Sequence, residues 1–205
     1  MPVDLLLALI VFAFVTSITP GPNNLMLLAS GVNFGFRRTI PHMLGISLGH
    51  AFMLVLVGLG FGEIFKLYPP AYTALKVLGF VYMLWLAWRV ANSGPVRQSA
   101  GRAKPMTFLG AAAFQWVNPK AWIISIGACA AYTVADRYFA TLLIVALVFP
   151  LTNLPSVSVW AMFGTSMRRV LGDPARVRVF NIGMALLLAA SVVPTVLDLL
   201  EAARP

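Results

Sequence analysis

Residues 19–24 read Thr19-Pro20-Gly21-Pro22-Asn23-Asn24 and lie inside one of the most apolar stretches of the chain. Each proline removes a backbone donor and clashes with the preceding helical turn, at about 3 kcal/mol in a helix interior. The glycine loosens the chain between them, and the two amides need hydrogen-bond partners. In a soluble core helix this sequence is a costly accident. Its meaning depends on the solvent around it.

The residues on either side identify that solvent. Of 205 residues, 60% are hydrophobic and only 10% are charged, where a soluble domain carries about 25% charged residues. The net charge of +9 would fit nucleic acid if Lys and Arg clustered on one face. Here they are scattered among hydrophobic runs, so a membrane is expected and no nucleic-acid partner. Six segments reach the roughly 20 apolar residues that a helix needs to cross hydrocarbon: about 4–30, 39–62, 70–91, 107–132, 138–163 and 178–199. They are apolar all round and lack the two-residue alternation of a strand barrel. The opening MPVDLLLALI has no basic region of a signal peptide, so the first segment is expected to be retained.

Cytoplasmic loops carry the excess of Lys and Arg. The first, third and fifth loops hold ten of them: Arg37 and Arg38; Arg89, Arg97, Arg102 and Lys104; Arg168, Arg169, Arg176 and Arg178. The other side has Lys66, Lys76, Arg137 and Arg204, with the acids Asp4, Glu63, Asp136, Asp198 and Glu201. Both termini are therefore expected outside. The basic loops face the cytoplasm, where they can rest on anionic membrane lipid. With that topology the first three segments enter from outside and the last three from inside, the pattern of an inverted repeat. The expectation is an all-α membrane protein forming one integral membrane domain over 1–205. Its six transmembrane helices form two inverted three-helix repeats, 1–91 and 107–199, joined by the cytoplasmic linker 92–106.

An inverted repeat predicts a second interruption in segment four, and Gln115-Trp116-Val117-Asn118-Pro119-Lys120 supplies it. Asn118 lies about 15–18 Å into its segment at 1.5 Å per residue, and TPGPNN about 20 Å into its own. Backbone groups freed by Pro20, Pro22 and Pro119 cannot face lipid and survive only where protein or a water-filled cavity satisfies them. Asn23 or Asn24 is expected to cap the restarted half-helix. Its N–H groups carry about half a positive charge and favour a carboxylate. Paired breaks in opposed halves thus point to a central polar site rather than to two architectural kinks.

Lys120 is a mid-membrane cation, costing about 2.5–3.5 kcal/mol on insertion scales. It either attracts a substrate carboxylate or titrates in a proton-coupled cycle; a purely snorkelling lysine would reach poorly to the interface. His50 is either a proton carrier or a neutral histidine bonded across helices. Asn153, in the polar kink Pro150–Ser156, either lines the same cavity or bonds to a neighbouring helix. Gly45 and Gly49 form a GxxxG step, a sign of close helix packing that also permits a homodimer. Tyr82, Trp85 and Trp88 read as an interfacial belt. No carboxylate falls in mid-membrane, which argues against a carboxylate-driven proton relay.

These motifs resemble the lysine-exporter superfamily, in particular the LysE/RhtB family of bacterial amino-acid exporters. The matching stretches are TPGPNN (19–24), NFGFRR (33–38), GISLG (45–49), YMLWLAW (82–88), KPMTF (104–108) and QWVNPK (115–120), within residues 16–122. The TPGPNN form and the short central loop look most like the cysteine/O-acetylserine exporter branch. The resemblance implies export of amino acids or close metabolites across the bacterial inner membrane, driven by the proton motive force. It puts Pro20, Gly21, Pro22, Asn23, Asn24, Asn118, Pro119 and Lys120 in the central site. No cofactor and no metal site are expected, and no enzyme activity, because nucleophile–base pairs and clustered ligands are missing from the sequence. The alternatives are a six-helix thiol-electron carrier, a structural membrane protein and a channel. The first needs two exchanging cysteines, where this chain has Cys129 alone.

Overall fold

Helix α1 (Val3–Ile18) stops at the first proline of the break, and α2 (Pro22–Phe34) restarts at the second, bent by 54° from it. In this computed structural model the described residues are 1–63, 67–93, 104–171, 173–191, 193 and 197. They form six further helices: α3 (Phe36–Gly58), α4 (Pro69–Ala91), α5 (Phe108–Val117), α6 (Pro119–Tyr132), α7 (Tyr138–Leu171) and α8 (Pro174–Ala190). Two short 3-10 turns complete them, and no strand occurs among the described residues. The loop residues Lys66, Arg97, Arg102, Asp198, Glu201 and Arg204, and most of the 92–106 linker, lie outside the described residues.

Local chemistry explains most of these ends. Gly35, at φ 80°, turns α2 directly into α3, a conformation that favours glycine. Thr107 caps α5 by accepting from the Gly110 N–H at 3.1 Å. Asp173 caps α8 through Ala175 N–H at 2.9 Å, ahead of Pro174 at the first helical position. The kink expected at 150–156 is instead continuous helix, since α7 runs through both Pro150 and Pro155. Within it, Thr152 and Ser156 hydroxyls bond back to the carbonyls four residues earlier.

Two described stretches, 36–58 and 135–168, are long and apolar enough to cross a bilayer alone, and the bent α1–α2 pair makes a third. The arrangement of polarity is that of a membrane protein. Leu143, Leu147 and Leu151 form an exposed apolar stripe at helical spacing along α7, while Asn24, His50, Gln115, Asn118 and Asn181 are buried. Water would reverse that order.

Helix pairing brings α2 against α7, α3 against both α5 and α7, and α4 against α8. Glycine permits the closest crossings. A Cβ on Gly31 would fall on the Ala161 carbonyl of α7, and one on Gly164 would fall on the Leu28 carbonyl of α2. At Gly45 and Gly49 the obstacles would be Phe108 and Ala112 of α5. The GxxxG step therefore packs α3 against α5 within one chain, so it is not the contact through which the permitted homodimer would form.

Candidate functional site

The accounting starts with the carbonyls that the prolines release. Pro22 cannot bond to Ile18, and the Ile18 carbonyl accepts instead from the Trp160 indole N–H of α7 at 3.0 Å. Asn24 turns back across the break, its Nδ2 donating to the Ser17 carbonyl at 2.8 Å and the Thr19 carbonyl at 2.9 Å. The Trp122 indole closes the end of α5 by donating to the Trp116 carbonyl at 2.8 Å. The Asn118 N–H takes the Gln115 carbonyl that Pro119 leaves, at 3.3 Å. The Ile18 and Gln115 carbonyls that Pro22 and Pro119 free are thus satisfied by protein.

The two restarted helices differ at their N-termini. Asn118 caps α6, its Oδ1 accepting from the Lys120 N–H at 3.1 Å. For α2 the expected cap is not formed: Gly21 holds the N-cap position, and neither Asn23 nor Asn24 accepts a bond there. Asn24 is occupied with the end of α1. Asn23 pairs with Gln115 of α5 in a reciprocal amide contact, 2.9 Å one way and 3.3 Å the other. The first-turn N–H groups of α2 are therefore left without a side-chain cap and carry the positive end of the helix dipole.

Lys120 joins the two breaks. Its ammonium donates to the Thr19 carbonyl at 2.9 Å and approaches the Pro20 carbonyl at 3.5 Å. It lies so close to Gly21 that a Cβ there would meet Lys120 Cδ and Nζ at 3.0 and 3.1 Å. Two carbonyls of the first break are thus held by the protein's own ammonium. As the second residue of α6, Lys120 also sets a cation against the positive end of that helix, an unfavourable position.

From α7, Asn153 donates to the Ser17 hydroxyl at 3.0 Å and accepts from the Ser47 hydroxyl at 2.7 Å, tying α1 to α3. His50 sits 3.1 Å from the Ser125 hydroxyl of α6 and edge-on to the Phe149 ring. One open recess of about 380 Å³, its mouth included, is lined by Gly21, Pro22, Asn23, Asn24, Asn118, Lys120, Asn153 and His50, together with Thr16, Ser17 and Gln115. Pro20 and Pro119 flank it without lining it. Among the described residues no carboxylate lines this recess, while two helix N-termini and one ammonium do.

Comparison with known proteins places the chain in a family. The family model described as LysE type translocator matches residues 14–193. The chain belongs to the LysE type translocator family. Curated relatives include the cysteine/O-acetylserine efflux proteins of Escherichia coli (strain K12) and Shigella sonnei (strain Ss046), each 31% identical over 186 residues, covering 90% of this chain and 93% of the relative. A third, from Escherichia coli O6:K15:H31, bears the same name and is 30% identical over the same length. No solved structure matches the chain.

Some groups in and around the recess of this translocator escape a reading of the sequence. Ser17 precedes the break by two residues, and Ser125 follows Lys120 by five, but an isolated serine in an apolar run carries no signal of direction. Gln115 had a signal, since it opens the motif that ends in Lys120. Trp122 and Trp160 read as bulk apolar residues, yet their N–H groups close the two breaks.

Proposed function

We propose that this translocator is a secondary exporter of small neutral amino acids or their close derivatives, of the cysteine and O-acetylserine class, out of the cytoplasm. The observation that carries the proposal is the recess itself: two helix N-termini and Lys120 converge on it, with no acidic group among the described residues to balance them. Such a recess favours a carboxylate. The substrate's carboxylate binds Lys120 and the uncapped N–H groups of α2. Its ammonium then takes over the Thr19 and Pro20 carbonyls from Lys120, one cation replacing another. His50 and Lys120 are the groups proposed to move the coupling proton, and Asn153 holds α1, α3 and α7 in register around the substrate.

The six-span inverted repeat, in the inner membrane with both termini outside, is part of the same proposal. Its halves are α1–α4 and α5–α8. Exchanging the halves converts the pairing of α1/α2 with α7 into that of α5/α6 with α3, and leaves α4 with α8 unchanged; all these pairings occur. That internal correspondence supports alternating access by rocking of one half against the other.

The test is reconstitution into liposomes with an imposed pH gradient and radiolabelled cysteine, O-acetylserine, threonine, homoserine and lysine, with Lys120→Met in parallel. Uphill, gradient-dependent movement of O-acetylserine or cysteine, lost in the variant, is the expected result. Downhill movement alone would make the protein a channel. Movement of nothing in the panel by folded protein would overturn the amino-acid reading.

A further inference from the structure

A second recess lies at the other end of α2. It holds about 430 Å³, mouth included, and its polar lining is Ser30, Asn33, His42, Arg89, Ser93 and Lys104. The two recesses share no lining residue, and along α2 the polar lining of one ends at Asn24 and that of the other begins at Ser30, about 9 Å on, beside Arg89 and Lys104.

Most of its polar groups are spoken for. Ser30 shares a hydroxyl contact of 2.8 Å with Thr39. Asn33 and Asn181 form a reciprocal amide pair at 2.8 and 3.0 Å, and Asn181 also donates to the Ser93 carbonyl. Carbonyls in the last turn of α4 are taken by Asn92 and Ser93, so Arg89 is not needed to cap that helix. Three groups are not accounted for. His42 is 2% exposed, and neither ring nitrogen has a hydrogen-bond partner among the described residues. Arg89 lies over the Trp85 ring at 4.9 Å, and neither it nor Lys104 has a carboxylate partner among the described residues. A buried imidazole with both nitrogens unsatisfied is costly unless something fills the recess.

We infer that this recess is a second binding site, for a small oxyanion group held between Arg89 and Lys104 and hydrogen-bonded by His42. The carboxylate of a free amino acid and the phosphate of an anionic lipid headgroup share that chemistry. As a first stop on a route along α2 toward the central recess it rests on the export reading; as a binding site it does not.

The chain's two histidines make the test direct, because His50 lines the central recess and His42 the second. Protein labelled with 15N-histidine, in phosphatidylcholine nanodiscs, is titrated with O-acetyl-L-serine, its imidazole signals assigned with His42→Gln and His50→Gln. The expected result is a saturable shift of the His42 signal, its apparent Kd rising at least tenfold in Arg89→Gln/Lys104→Gln. An unmoved His50 signal in that variant without ligand shows that it is folded. A parallel sample in phosphatidylglycerol discs without amino acid separates the sources, since a His42 shift only there assigns the site to a lipid phosphate. A His42 signal unmoved in both arms, or a shift indifferent to the double substitution, overturns the site. A His42 shift with His50 silent keeps this site and counts against the central one.

Discussion

Lys120 Nζ and the Thr19 carbonyl oxygen stand 2.9 Å apart across 101 positions of sequence, joining the two interrupted helices at their breaks. A hydrogen bond from a charged donor contributes about 1.5–3 kcal/mol, close to the roughly 2.5–3.5 kcal/mol that a mid-membrane cation costs. The two nearly cancel. Lys120→Met is therefore expected to shift the unfolding midpoint by no more than a few degrees while reducing gradient-driven efflux at least tenfold. Thermal unfolding in detergent and liposome flux, measured on one preparation, check both halves. A large loss of stability would make Lys120 architectural.

Asn23 and Gln115 supply a second measurable tie. Interhelical hydrogen bonds within membranes average about 0.6 kcal/mol and reach about 1.7. A double-mutant cycle with Asn23→Ala and Gln115→Ala should give a coupling energy in that range. A coupling near zero would mean that the reciprocal amide contact does not hold α2 to α5.

Gly164→Ala must force α2 and α7 apart, because the new Cβ would fall on the Leu28 carbonyl. Overpacking of this kind costs about 1–3 kcal/mol. Gly127→Ala in α6 is the contrasting case, with nothing within 4 Å of the added Cβ. It removes a helix-interior glycine and should raise stability by about 0.5–1 kcal/mol. Unfolding midpoints of the two variants should move in opposite directions.

Orientation is open to a labelling experiment, since Cys129→Ala alone gives a cysteine-free background. In that background Ala100→Cys should react with a membrane-impermeant maleimide only in inverted vesicles. Ala135→Cys should react only in intact spheroplasts. Labelling of both from the same side would exclude the six-span arrangement.

The helix breaks were legible in the sequence because proline leaves little choice: Pro20, Pro22 and Pro119 each remove a donor, and the helices stop there. Lys120 was legible because a cation among apolar residues must answer to something. The identity of the α2 cap was not. Asn24 can turn either way from its backbone, and only the position of α1 makes Ser17 and Thr19 its acceptors. The same holds for the GxxxG step, whose spacing says that a backbone comes close but not whose backbone it is. His42 gave no local sign of its surroundings; its two unsatisfied nitrogens face a recess that α4, Lys104 and Met106 help to line.

Gly31 with Gly164 and Gly45 with Gly49 fasten α2 to α7 and α3 to α5 backbone to backbone, and each crossing joins one proposed half of the chain to the other. Helices in such contact cannot slide without collision, so the crossings act as a fulcrum. Helix ends far from them have the longest lever arm and would travel furthest in the proposed rocking of the halves. The central recess lies at the start of α2, seven residues or more before Gly31, whereas the second recess spans Met26 to Phe34 around it, so a tilt about these crossings would reshape the first more than the second.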